Sequence, residues 1–192
     1  MSGKNAQLGD ALAYQDFLPV AIRQATNVPD QIRFNRANEI NEDVLHNILL
    51  LEKYHNEFSE DETDRNSADL SYIDFKLNII LDLVLQLYAS QMSMPDERKI
   101  TLTATQFRCS SPERYQGGDM LVIELYLSKR FLKPLILYGL VDKIEPCGNS
   151  QCDYYFSFAE MSPLVQGLLE RFIFLKHRRM IAASRREKSD KN

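Results

Sequence analysis

The sequence predicts an α+β protein: a heptad-bearing helical region, then a small antiparallel barrel or sandwich, then a long C-terminal helix. Three observations carry that expectation. Residues 41–94 hold apolar side chains at helical spacing, with Pro95 beyond them. Residues 95–161 break into short runs of alternating polarity separated by turn residues. From Pro163 a helical period returns and continues almost to the end.

A chain of 192 residues is long enough for one well-buried domain with an extension. Its apolar content of 44% and charged content of 26% are those of a soluble globular protein. A formal net charge of −4 argues against general nucleic-acid binding. The charge is unevenly spread: 57–64 (EFSEDETD) has five acids and no base, and 171–192 has eight Lys or Arg against two acids. A solvated helix end accounts for most such asymmetry, a contact surface for the rest. Three cysteines, Cys109, Cys147 and Cys152, leave an odd thiol, and MSGKNAQLGD has no signal-peptide core. Both facts imply reduced thiols and a cytoplasmic protein. Zinc is not expected, because the C-x4-C pair stands alone and His46, His55 and His177 lie far from it.

Residues 1–40 read as an extended arm, since Pro19 and Pro29 interrupt any helix there. Phe17, Leu18, Val20 and Ile22 could dock the arm on the main domain; a free tail is the other reading. From Asn41 the pattern is helical. Glu42 and Asp43 suit a first turn, and Val44, Ile48, Leu51, His55 and Phe58 follow at spacings of 4, 3, 4 and 3. The acidic run interrupts this stripe, and Asn66 or Ser67 offers a new N-cap.

The next helix carries Leu70, Ile73, Leu77, Ile80, Val84 and Leu87 at spacings of 3, 4, 3, 4 and 3. That is a heptad seam, with Leu70, Leu77 and Val84 at one core position and Ile73, Ile80 and Leu87 at the other. Asp74, Lys76, Asn78, Asp82 and Gln86 interrupt it, so the run of ~18 apolar residues that a membrane span needs is missing. Ile79, Leu81, Leu83, Leu85 and Tyr88 make further sides apolar. The expectation is therefore a bundle of three or more helices between chains; a core helix within the chain is the alternative. Residues 41–94 form the oligomerisation region on this reading.

Between 95 and 161, KITLTATQF, DMLVIELYL, PLILYGLVDKIEP and CDYYFSFAE read as strands, with turns at Pro112, Gly117–Gly118 and CGNSQ. Gly139 within a strand suggests a bulge or bend. The last helix, 162–187, opens with Ser162 as N-cap and Pro163 at the first position. Val165, Leu168, Phe172 and Leu175 form its stripe. Arg178, Arg179, Arg185 and Arg186 complement the dipole at its far end, and 188–192 form a tail.

Catalytic chemistry is sparse. Cys109 and the histidines have no local signature. YQGGDM is a turn rather than a phosphate loop, and Glu60 and Glu62 fall in a solvated run. An enzyme is not expected.

TLTATQFRCSS, LVIELYL and KPLILYGLV, preceded by DFLPVAIRQ and a heptad helix and followed by LLERFIFLKHRRMIAASRRE, resemble a PilZ domain. The resemblance is to an atypical bacterial branch with helical extensions, and it spans residues 15–187. It implies a small antiparallel barrel and a setting in cyclic di-GMP signalling, surface motility or type IV pili. PilZ receptors use an Arg-x-x-x-Arg pair and an Asp/Asn-x-Ser-x-x-Gly turn, because guanidinium groups bind phosphates and guanine edges. Here the second motif falls on residues 101–106, with Thr101, Thr103 and Gln106 in place of Asp, Ser and Gly. Arg98 stands ahead without a second Arg at the required spacing. The resemblance thus implies Arg98, Thr101, Thr103 and Gln106 as a degenerate ligand site, with cyclic di-GMP bound weakly or not at all and no other cofactor or metal.

The function expected is a non-enzymatic adaptor, a homo-oligomer of three or four chains with an unidentified protein partner and no membrane insertion. A cyclic di-GMP receptor with a non-standard site is the alternative. Nucleic-acid binding through the C-terminal arginines is not expected, since no aromatic platform stands beside them.

Overall fold

The computed structural model describes residues 12–25, 27–57, 65–91, 93–146 and 151–189. Within them the elements run β1 (Tyr14–Gln24), α1 (Gln31–Glu57), α2 (Arg65–Gln91), β2 (Glu97–Leu102), β3 (Gln106–Ser111), β4 (Met120–Leu125), β5 (Leu135–Pro146), β6 (Cys152–Phe158) and α3 (Pro163–Ser189). The strands close an antiparallel barrel in the order β1-β2-β3-β6-β5-β4. This is the α+β architecture expected, with a barrel rather than a sandwich.

Alternation fills the barrel. Ile100, Leu102, Phe107, Cys109, Leu121, Ile123, Leu125, Leu137, Tyr154 and Phe156 all point inward and are buried. Gly118, at φ 86°, makes the turn before β4 in a conformation that costs glycine little.

Three sequence expectations need correction. The arm assigned to residues 1–40 contains a barrel strand: β1 pairs with β2 through Tyr14–Pro19 and with β4 through Val20–Gln24. Pro19 is tolerated because it stands where the strand changes partner, and its missing N–H points to the side on which β4 has not yet begun. The first helix begins at Gln31 rather than near Asn41, because Asp30 caps it: its carboxylate accepts the Arg33 N–H at 3.0 Å. Pro29 thus precedes the helix instead of interrupting it. Gly139 is not the bulge; the register shift falls between Val141 and Lys143. Gly139 faces inward, where a Cβ would lie 3.1 Å from Ile123 Cδ1 and 3.2 Å from Phe156 Cβ.

α1 and α3 cover the barrel side by side and run in the same direction. Asn38 joins their early parts, donating to the Glu160 carbonyl at 2.8 Å and accepting from Ser162 N–H at 3.0 Å. Further along, Glu52 accepts from Lys176 at 3.0 Å and pairs with Arg179. The basic residues of α3 thus do more than complement its dipole. Val44, Leu45 and Ile48 of α1 and Val165, Leu169, Phe172 and Ile173 of α3 complete the core. No helix among the described residues is long and apolar enough to cross a membrane.

Candidate functional site

Arg98 and Thr101 lie an odd number of residues apart on β2, so their side chains leave opposite faces. Arg98 points inward with Ile100 and Leu102 towards one end of the barrel. Its guanidinium donates to Ser111 Oγ at 2.9 Å and stands 3.5 Å from the Glu113 carboxylate. Burial alone would raise the Glu113 carboxyl, but hydrogen bonds from Tyr115 and Arg98, with the Arg98 charge, hold it below the usual carboxylate range. Tyr154 closes this cluster by donating to the Glu113 carbonyl at 2.7 Å.

Thr103 lies in the turn between β2 and β3, and Gln106 opens β3. Thr103 Oγ1 accepts the N–H of Gln106 at 2.9 Å and of Thr105 at 3.3 Å, and Thr103 N–H reaches the Gln106 carbonyl at 2.9 Å. Its side chain is buried. The hydroxyl therefore shapes the turn.

Thr101 alone of the four lines a polar cavity on the outer barrel wall. The cavity encloses about 190 Å³ among Gln15, Lys99, Thr101, Arg108, Ser110 and Asp153. Strand register builds it, setting Gln15 against Thr101, Thr101 against Arg108, and Ser110 against Asp153. Asp153 is buried and accepts from both Arg108 and Ser110. That carboxylate raises the pKa of Arg108, so the guanidinium stays charged. Beside it, Arg108 and Lys143 lie 5.0 and 5.4 Å from the Tyr155 ring centroid. Burial and a hydrogen bond to Glu145 push the Tyr155 hydroxyl up to about 12.

Arg108, Lys99 and Asp153 were not singled out in the sequence. Alternation in QFRCSS places Arg108 on an outer face, but the β3–β6 register that supplies Asp153 has no local signal. The arrangement can bind an anion or a planar polar group. Its Ser110 hydroxyl donates to Asp153, a carboxylate that Arg108 already neutralises. Burial pushes the Cys109 thiol up to about 12, which leaves it protonated and unreactive at neutral pH. Among the described residues no three His, Cys, Asp or Glu side chains gather as a metal site.

The other candidate surface is α2. Ile73, Leu77, Ile80, Val84 and Leu87 are 53, 58, 57, 55 and 62% exposed. Leu70 begins the seam in sequence, and its side chain lies outside the described residues. Tyr72, Phe75, Ile79 and Leu83 are exposed on another side. Among the described residues, no other element packs extensively along this helix.

No family model matches the chain, and no curated protein matches it. Solved structures do. One is a pathogenic protein from Xanthomonas campestris, described as a tetrameric PilZ domain self-assembled via an unusual helical bundle. It aligns with a TM-score of 0.69 and 23% identity over 91% of this chain and 92% of its own. The PilZ domain of Escherichia coli YcgR, solved with cyclic di-GMP, aligns with a TM-score of 0.36 and 21% identity over 50% of this chain and 79% of its own. The Bacillus subtilis inhibitor of motility MotI (DgrA) aligns with a TM-score of 0.36 and 13% identity over 45% and 42%. The fold is PilZ-like, as the resemblance in the sequence implied.

Proposed function

We propose that the protein is a non-enzymatic PilZ-like adaptor that self-assembles through α2 in the cytoplasm, in a cyclic di-GMP signalling, motility or type IV pilus setting. The observation that carries this reading is the exposed apolar seam of α2. Burying one Leu or Ile side chain is worth about 1.5–3 kcal/mol. Five such residues left wet on one helix favour association even after its entropic cost. Leu at the first core position and Ile at the second, as in Leu70–Ile73 and Leu77–Ile80, favour three or four strands, whereas Val84 with Leu87 has the two-stranded pattern. The tetramer formed by the Xanthomonas campestris neighbour is consistent with this choice.

Light scattering tests the assembly. The parent chain should run as a trimer or tetramer, and Leu77→Asp combined with Val84→Asp as smaller species with an intact barrel. A monomeric parent at ~10–100 µM, where moderate affinity is detectable, would end the reading.

The polar cavity supports a second reading, a cyclic di-GMP receptor with a non-standard site. Lys99 and Arg108 would meet phosphate there, beside Thr101. The favoured expectation is weak or absent binding, since Arg98 and Thr103 are occupied by contacts within the barrel. Calorimetry at ~100 µM ligand should show no saturable heat. A low-micromolar isotherm abolished by Arg108→Ala would establish the receptor instead.

A further inference from the structure

β1 outruns its neighbours. Its first half pairs with β2 on one side only, because β4 takes up the strand from Val20. Main-chain groups in an antiparallel strand point alternately to either side. The Pro19 carbonyl accepts Tyr126 N–H at 3.1 Å on the β4 side. Gln15 and Phe17, in phase with Pro19, therefore aim their main-chain groups at the same side, where no strand lies among the described residues. The Phe17 N–H is held only by its neighbour's side chain, accepted by Asp16 Oδ1 at 2.8 Å. The Phe17 side chain itself is 60% exposed.

A groove of about 500 Å³ runs along this edge, a size that suits a small ligand or a few peptide side chains. Leu18, Tyr126 and Leu127 form a buried floor, and Met94, Pro95 and Leu132 form the walls. Lys129 pairs with Glu97 at 3.3 Å on the rim, and Lys176, already held by Glu52, lines the groove with Asp16. Arg130 and Lys133, exposed on the same loop as Lys129, tip the surroundings towards positive charge.

We propose that this edge receives an extended segment of a partner protein as an added strand, with an apolar side chain in the groove and acidic residues beside it. The main-chain groups of Gln15 and Phe17 supply the ladder, displacing the Asp16 carboxylate. The apolar floor takes the anchor, and the basic loop selects acidic flanks. This is strand addition, in which main-chain bonds provide affinity and pockets provide specificity. It does not depend on assembly through α2.

The probe is a labelled seven-residue peptide with a central Leu, Glu two residues to either side, and Thr or Val elsewhere. Anisotropy on the full chain should show saturable binding below ~1 mM, at least roughly tenfold tighter than for the same peptide with Lys replacing Glu. Amide exchange at Phe17 should slow when the peptide binds. N-methylation of the peptide amides that face β1 should abolish binding. Phe17→Pro removes the open-side donor and Phe17→Ala only the ring that lines the groove; the Pro variant should bind at least roughly tenfold more weakly than the Ala variant, a loss of ~1.4 kcal/mol. If the Pro variant fails to fold, the N-methylated peptide still decides the matter. No binding by either peptide, or equal binding by the N-methylated one, would overturn the proposal. So would Phe17 protection that grows with protein concentration alone, because a second copy would then hold the edge.

Discussion

Asn41 of α1 donates to the Ile136 carbonyl at 2.8 Å and accepts the Ile136 N–H at 2.7 Å. One side-chain amide thus makes both hydrogen bonds of a strand pairing. It does so where β5 extends beyond β6, whose register begins at Gly139. That overhang on β5 has a counterpart in the first half of β1. Asn41 seals the one on β5, whereas the one on β1 has only the Asp16 carboxylate.

Asn41→Ala should leave the Ile136 donor and acceptor buried without partners, at about 1–3 kcal/mol each. Denaturant unfolding should show a loss of about 2–4 kcal/mol on that basis, allowing for partial access of water. Asn41→Asp should also destabilise, since a carboxylate keeps the acceptor but cannot donate to the carbonyl.

Arg98→Ala should behave as a stability mutation. Its loss frees Ser111 and Glu113 at the barrel end, and unfolding should show a cost of about 1–3 kcal/mol. Arg108→Ala leaves the buried Asp153 carboxylate held by Ser110 alone and should cost a similar amount, about 1–3 kcal/mol. An unfolding midpoint unchanged by Arg98→Ala would contradict the inward placement of Arg98.

The Arg98–Glu113 contact should confer acid sensitivity. The folded carboxyl of Glu113 titrates below its ordinary range, so its contribution is present above the unfolded pKa of about 4.3 and is lost as pH falls through the folded value. The carboxylate is partly exposed, which limits the effect to under about 1 kcal/mol. Thermal melts between neutral pH and about pH 3 should converge for the parent and Glu113→Gln as the solution is acidified. A constant difference between them would count against this role.

Gly139→Ala should overpack the barrel. The added methyl would meet Ile123 and Phe156 at 3.1 and 3.2 Å, and neither belongs to a freely moving surface chain. A cost of about 1–3 kcal/mol is expected in equilibrium unfolding. A neutral result would mean that the Ile123 end group can turn away.

The legible parts of the structure were those coded by near neighbours. The α2 seam rests on spacings of three and four, and the inward residues of β4 on spacings of two. β1 escaped because its partners, β2 and β4, lie some eighty to a hundred residues away, as in Tyr14 against Leu102 and Val20 against Leu125. Pro19 also argued locally for a loop. The opposed faces of Arg98 and Thr101 could have been read from their odd separation. The union of Arg108 with Asp153 could not, because it depends on a register between strands joined only through β4 and β5.

Met94, on the wall of the β1 groove, follows the last residue of α2, Gln91, by only three positions. An assembly through α2 therefore repeats the groove once per chain at a spacing set by the bundle. A partner bearing one acidic-apolar segment would gain nothing from that repetition. A partner bearing several, on one chain or on a polymer, would bind each later groove at a high effective concentration. Avidity could then exceed single-site affinity by about 10²–10⁴ without any new contact. Response to partner density, rather than to partner concentration, would be the signature of such a protein.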